Sequence, residues 1–202
     1  MDHFSANNII ELYQRHSTHW DSIRHDLRYE TSWLNRFMAL LPAGADILDI
    51  GCGSGRPIAE YFLQHGLNVT GVDASAAMIA LCRQRFAQQI WHVADMRTLS
   101  LARKFDGLLA WDSFFHLTRD DQRHMFSIFS AHAKDNAVLM FTSGPGNGEA
   151  IGEFQGEPLY HASLAPDEYR ELLANHGFDV IEMIPEDPDC AGHTVWLAQK
   201  TL

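Results

Sequence analysis

Gly51, Gly53 and Gly55 place three glycines within five residues, directly after an apolar run at 46–50. Glycine lets the chain turn tightly and lets a ligand approach the bare main chain. A helix starting just beyond would aim free amides and a positive dipole end at that ligand. Asp73 closes a second apolar run, 22 positions after Gly51. A carboxylate there can accept hydrogen bonds from both hydroxyls of a ribose. Glycine loop and acid together predict a nucleoside seat.

That pair is shared by nicotinamide dinucleotides and S-adenosylmethionine. The dinucleotide fingerprint is G-x-G-x-x-G. Here the third glycine comes one residue early, and Arg56-Pro57 stand where a pyrophosphate would approach the helix start. The spacing therefore disfavours the dinucleotide. Candidates for acid–base work follow the fourth apolar run, in Asp112-Ser113-Phe114-Phe115-His116. His116 has a suitable unperturbed pKa, and the alternative is that it packs or caps the next helix. Asp112 is a second candidate base, with a competing role in orienting the loop. His16 and His19 lie one helical turn apart, but no third ligand follows by spacing, so no metal site is expected.

These residues need a scaffold. Short apolar runs at 46–50, 68–72, 90–94, 105–111 and 137–142 alternate with helical patterns at 56–65, 76–86 and 118–133. Such alternation builds a parallel sheet covered on both faces. Ser75 can cap the second of these helices, and Thr118 with Asp121 resembles a capping box. Pro166 suits the first turn of a helix closed by Gly177. The last two strands, 178–184 and 194–199, are joined without room for a helix and should form an antiparallel hairpin at one edge. The first forty residues read as helix, with Ser5 capping a segment that holds Ile9, Ile10, Leu12 and Tyr13. A second segment from Thr31 to Leu41 is stopped by Pro42 and Gly44. Residues 143–165 break the rhythm with five glycines and two prolines. A loop this long is usually functional, and it reads as an irregular flap or hairpin over the carboxyl ends of the strands. The expected organisation is one domain over 1–202, with a helical cap at 1–42 and a flap at 143–165.

The chain has 202 residues and a formal net charge of −11. Such a surface repels phosphate backbones, and no basic cluster offsets it, so nucleic acid is not expected as a partner. Cys52, Cys82 and Cys190 lie far apart without metal or redox spacing. A reducing cytoplasm suits them. No apolar run is long enough to span a membrane, and Met1-Asp2-His3-Phe4 does not read as the start of a secretion signal.

The combined motifs resemble those of the class I S-adenosylmethionine-dependent methyltransferases. The string 47–55 (Ile-Leu-Asp-Ile-Gly-Cys-Gly-Ser-Gly) is similar to their first motif. Gly71-Val72-Asp73-Ala74-Ser75, with Met78 beyond, resembles the second, and Asp95-Met96 resembles the adenine-binding pair. The run at 105–111 resembles their fourth strand. The likeness spans roughly residues 30 to 200 and is nearly silent about substrate. It implies a doubly wound α/β fold with a seven-stranded, mostly parallel sheet of order 3-2-1-4-5-7-6, strand 7 antiparallel, under N-terminal cap helices. It implies S-adenosyl-L-methionine as cofactor. The Gly51–Gly53 region, with Cys52 and Gly55, would lie under its methionine part, and Asp49 would orient that loop. Asp73 would take the ribose hydroxyls, flanked by Ala74, Ser75 and Met78, with Ala74 adding no polar contact. Asp95 would meet the adenine amino group and the Met96 main chain a ring nitrogen, with Arg97 beside them. The Trp111 carbonyl would face the methionine amine. An aromatic from the N-terminal helices would cover the cofactor, with Tyr13 the leading candidate. Tyr29 is a further one, and Trp33 reads better as core. In the flap, Tyr160 and His161 face either substrate or solvent.

The resulting expectation is in-line methyl transfer to an unidentified small molecule. DNA-adenine and some amide methyltransferases carry Asp/Asn-Pro-Pro-aromatic where this chain has Asp112-Ser113-Phe114-Phe115, which disfavours those substrates. Three other readings stand beside it. They are an oxidoreductase with a nucleotide cofactor, a non-catalytic module binding S-adenosylmethionine, and a methyltransferase acting on a macromolecule. The last would need a basic or apolar docking surface.

Overall fold

A computed structural model describes residues 4–201, so the N-terminal reading on 1–3 lies outside the described residues. Seven strands form one sheet in the order β3-β2-β1-β4-β5-β9-β8. They are β1 (Asp46–Ile50), β2 (Asn68–Asp73), β3 (Ile90–Val93), β4 (Phe105–Ala110), β5 (Ala133–Ser143), β8 (Phe178–Asp187) and β9 (His193–Lys200). The five N-terminal strands pair in parallel, and β9 runs antiparallel to both β5 and β8. This is the expected 3-2-1-4-5-7-6 sheet. A separate two-stranded pair, β6 (Gly148–Phe154) with β7 (Glu157–Ser163), intervenes in the numbering.

The strand residues alternate between two apolar layers, as a pleat buried on both sides requires. Ile47, Leu109, Val138 and Met140 pack with Trp33, Leu34 and Phe37 of α3 (Thr31–Ala39) and with Phe62 of α4 (Ile58–Gln64). Ile79 and Cys82 of α5 (Ala76–Arg85) close that layer. Leu48, Leu108, Leu139 and Phe141 face the other way. They meet Met125, Phe126 and Phe129 of α6 (Arg119–His132) and Tyr169 and Leu173 of α7 (Pro166–Asn175). Phe126, Phe129 and Phe141 are fully buried, and burial of each contributes about 1.5–3 kcal/mol.

The anticipated caps are present. Ser75 Oγ accepts from the Met78 amide at 3.2 Å, and Thr118 Oγ accepts from the Asp121 amide at 3.2 Å. Ser5 is different. It lies inside α1 (Phe4–Asn7), and α2 (Ile9–Ile23) starts from Asn8 without a side-chain cap. Packing holds α2 in place of a cap. Gln14 Oε1 accepts from Ser75 Oγ at 2.9 Å and from the Ala77 amide at 3.0 Å, while Asp21 accepts two bonds of 2.5 Å from Arg85. Both ties fix α2 to α5, across the carboxyl end of the sheet. Trp33 is core, and its indole nitrogen donates to Asp187 at 2.8 Å.

Candidate active-site cleft

Open parallel sheets bind ligands beyond the carboxyl ends of their strands, where the strand order reverses. Here the tips of β1, β2, β3 and β4 converge on a cleft of about 870 Å³, counting its open mouth. A smaller lobe of about 380 Å³ adjoins it, and the two share Trp20, Gly51, Gly53 and Asp112.

The first wall is the loop after β1. The Gly51 and Cys52 amides both donate to the Val72 carbonyl, at 2.7 and 3.0 Å, which docks the loop on β2. Gly51 has φ +78°, and a Cβ there would fall 2.3 Å from Cβ of Ser113. Only glycine fits that crossing of the β1 and β4 tips. Gly53 has φ +53°, and an added Cβ would meet nothing closer than the Trp20 ring at 3.5 Å. Gly53 therefore sits in van der Waals reach of the Trp20 ring, where both lobes of the cleft meet. Gly55 lines neither lobe. It gives room to Phe86 and Cys82, which an added Cβ would approach to 3.0 and 3.3 Å.

Asp73 stands at the tip of β2. One carboxylate oxygen accepts the Gly53 amide at 2.9 Å and the other the Ser75 amide at 2.8 Å. Burial raises its pKa, and those two amides hold it back. Each oxygen keeps lone-pair capacity for a further donor. Ala74 and Met78 line the cleft beside it, as do Met96 and Arg97. Asp95, at the tip of β3, lines it too. Its carboxylate is gripped by the Arg97 guanidinium, with contacts of 2.6–3.0 Å. Burial alone would raise Asp95, but Arg97 leaves it below its ordinary value.

Asp49 lines the smaller lobe. Burial, with Asp73 as a second cause, pushes its pKa up to about 7. The loop amides that it was expected to orient are held by Val72 and Asp73 instead.

The opposite wall carries a hydrogen-bonded pair, Tyr13 and His116. His116 is 6 % exposed. Its Nδ1 faces the Tyr160 carbonyl at 2.8 Å and its Nε2 faces the Tyr13 hydroxyl at 3.0 Å. A nitrogen facing a carbonyl must carry the proton, so in the neutral ring Nε2 is bare and accepts from Tyr13. Burial, with nearby His161, lowers His116 to about 4 against the opposing pull of the Tyr160 carbonyl and Asp112. The imidazole is therefore neutral at physiological pH. Burial, with Asp112 and Asp73 next, raises Tyr13 and keeps its phenol protonated. Asp112 is differently placed. One oxygen accepts from His193 at 2.9 Å and the other lies 3.5 Å from Arg24. Its backbone is left-handed, φ +49°, and its amide donates to Thr142 at 2.9 Å.

The β6–β7 hairpin forms the roof. Phe154 at its tip packs against the rings of Tyr13, His16, His19 and Trp20, at centroid distances of 5.8–5.9 Å. Glu157 accepts from His16 at 2.6 Å and pairs with Arg15, and Gln155 meets His19 at 2.7 Å. His16 and His19 thus face the flap tip. Tyr160 is buried and offers its carbonyl to His116, whereas His161 is half-buried against Phe115 and His116. Among the cleft residues that sequence reasoning missed are Ile9, Ile10, Trp20 and Arg24 of the N-terminal segment, with Leu117 and Thr118. Extending the amphipathic pattern beyond Tyr13 would have reached Trp20.

Residues 47–136 match the family model for a methyltransferase domain. The chain's fold is that of the class I S-adenosylmethionine-dependent methyltransferases. The chain is 28% identical to an O-methyltransferase from Pyrenophora dematioidea over 70% of its own length and 57% of that protein. It is 31% identical to a dTDP-3-amino-3,6-dideoxy-alpha-D-glucopyranose N,N-dimethyltransferase from Streptomyces fradiae over 49% of this chain and 39% of that one. The chain thus spans about half the length of these relatives. Among solved structures it superposes on magnesium protoporphyrin IX methyltransferase from Synechocystis, crystallised with S-adenosylmethionine. The TM-score is 0.75 at 17% identity, over 100% of this chain and 98% of that one. It also superposes on 1,6-didemethyltoxoflavin-N1-methyltransferase from Burkholderia thailandensis. There the TM-score is 0.73 at 20% identity, over 98% and 87% of the two chains. No helix among the described residues is long and apolar enough to cross a membrane.

Proposed function

We propose that this protein transfers the methyl group of S-adenosylmethionine to a small molecule, with His116 as the base and Tyr13 as its contact to the acceptor. The carrying observation is that Gly53, the Asp73 carboxylate and the Tyr13–His116 pair all border one cleft. The residues fit the cofactor. Asp73 has spare lone pairs for a ribose, and Met78, Asp95 and Met96 border the part of the cleft where a nucleobase would lie.

When bound, the cofactor supplies a sulfonium methyl that is already electrophilic. The protein's task is to position an acceptor and remove its proton. Alignment of that kind is worth on the order of 7–11 kcal/mol in good cases. The Tyr13 oxygen accepts a hydrogen bond from the acceptor while its own proton points at the bare His116 Nε2. The acceptor's proton passes to the Tyr13 oxygen as the tyrosyl proton passes to Nε2. The Tyr160 carbonyl keeps Nδ1 protonated, so Nε2 is the nitrogen that receives it. Such general-base help is worth about 10²–10⁴-fold. Asp112 is not assigned this role, because His193 and Arg24 already engage its carboxylate. The β6–β7 hairpin and α2 exclude water. The acidic chain and its cysteine usage fit a small metabolite in a cytoplasm better than a nucleic acid.

The test is a metabolite extract incubated with methyl-labelled S-adenosylmethionine and the purified protein. A labelled small-molecule product that falls at least tenfold with His116→Ala supports the reading. No labelled product, or hydride exchange with a nicotinamide dinucleotide instead, refutes it.

A further inference from the structure

Gln122 is a fully buried amide on the first turn of α6, and it lines neither lobe of the cleft. Its nitrogen donates to the Leu117 carbonyl at 3.0 Å and to the Ala162 carbonyl at 2.9 Å. Its oxygen accepts from the Tyr169 hydroxyl at 2.6 Å, and that hydroxyl accepts from the Leu164 amide at 3.1 Å. Burial pushes Tyr169 up to about 12, so the phenol keeps the proton that it gives to Gln122. The amide therefore has one orientation. Turned over, it would set its oxygen against two carbonyl oxygens. A buried polar network satisfied in this way is rigid.

The two carbonyls belong to the two segments that shape His116. Leu117 follows His116 directly, and Ala162 lies two residues beyond Tyr160 in β7. Carbonyls two apart along a strand point the same way, so Tyr160 and Ala162 offer theirs on one edge of β7. His116 Nδ1 meets the first at 2.8 Å, and Gln122 meets the second at 2.9 Å. Gln122 also grips the chain at Leu117, one residue from the ring. The strand and the turn are thus held in register by an amide outside the cleft. That register decides the chemistry of the ring. A neutral imidazole carries its proton on the nitrogen that finds an acceptor. With the Tyr160 carbonyl withdrawn, the proton is free to sit on Nε2, and the side facing Tyr13 becomes a donor instead of a base.

We propose that Gln122 sets the tautomer of His116, as a positioning residue for the reaction. It holds the Tyr160 carbonyl against Nδ1 and so keeps Nε2 bare, with Tyr169 as its anchor. This deepens the reading of His116 as the base and rests on it.

Nitrogen-15 correlation spectra of the histidine rings test it, with His116→Gln identifying the His116 signals. The parent should show His116 protonated on Nδ1 and bare on Nε2. Gln122→Met removes both donors at similar length, and a resolved share of His116 should move to the Nε2-protonated form. Label transfer in the metabolite extract should fall at least tenfold, while S-adenosylhomocysteine affinity in calorimetry stays within threefold. Tyr169→Phe frees the amide from its anchor and leaves both carbonyls in place. It should shift the tautomer in the same direction by less, and it carries the test if Gln122→Met does not fold. A merely structural role would lower the melting temperature and leave the tautomer unchanged. Folded variants that keep the parent tautomer therefore overturn the proposal, as does an equal loss of label transfer and S-adenosylhomocysteine affinity. A parent with His116 protonated on Nε2 sinks the base reading and this one together. If instead His116→Ala keeps full label transfer, the base reading alone fails, and the tautomer in Gln122→Met still decides whether Gln122 sets the ring.

Discussion

Asp49→Asn should stabilise the unliganded protein, and by more at alkaline than at acid pH. The folded-state pKa of Asp49 is raised from 3.8 to about 7 by burial and by Asp73. A raised carboxylate binds protons more tightly folded than unfolded. Its cost is therefore absent below pH 3.8, grows through the interval and is complete above pH 7. At 1.36 kcal/mol per pH unit, the interval amounts to roughly 4 kcal/mol as an upper bound. Asparagine cannot ionise and removes this cost. It adds a buried amide whose own penalty is independent of pH. The comparison between two pH values isolates the ionisation. From pH 5 to pH 8 the gain on substitution should grow by about 2–3 kcal/mol. Urea unfolding of parent and variant at both pH values reads this directly. A gain that is the same at pH 5 and pH 8, or that shrinks with pH, would refute the picture of a desolvated carboxylate under the glycine loop.

Tyr13→Phe should lower turnover at least tenfold while S-adenosylhomocysteine affinity changes by less than threefold; a parallel loss of both would make Tyr13 a binding residue. His116, depressed from 6.5 to about 4 by burial, contributes stability that is intact above pH 6.5 and lost as pH falls toward 4. The loss is about 3 kcal/mol, and a His116→Gln variant should show a flatter acid limb in unfolding experiments. Gly51→Ala should cost at least about 2 kcal/mol through its clash with Ser113. Gly53→Ala should cost about 1–2 kcal/mol through its left-handed backbone, less than Gly51→Ala, and should also bind S-adenosylhomocysteine more weakly, because its methyl projects toward the cleft.

Much of this was legible in the sequence because one physical pattern repeats. Each parallel strand is buried on both faces, so Leu108-Leu109-Ala110 and Val138-Leu139-Met140 read as unbroken apolar runs. Ser75 and Thr118 marked helix starts through local hydrogen bonds that need no tertiary information. The flap was less clear. Its glycines and prolines left an irregular flap or a hairpin open, and cross-strand pairing from Gly148–Ser163 to Phe154–Glu157 makes it a hairpin. Of the cleft, the glycine loop and the acids at strand tips were visible because their backbone tasks restrict residue type. Arg24 and His193 were not. His193 and Asp112 lie 81 positions apart, and nothing local in either segment announces a partner. Ser5 misled for the opposite reason: a good capping residue sits one short helix too early, and Gln14 and Asp21 hold α2 by tertiary contacts.

The central claim is a nucleoside seat shared by the β1 loop and the β2 tip. Titration of S-adenosylhomocysteine into the parent protein and into Asp73→Ala tests it most directly. The account predicts saturable one-to-one binding by the parent and at least a thirtyfold loss in the variant. Equal affinity in the two proteins would contradict it.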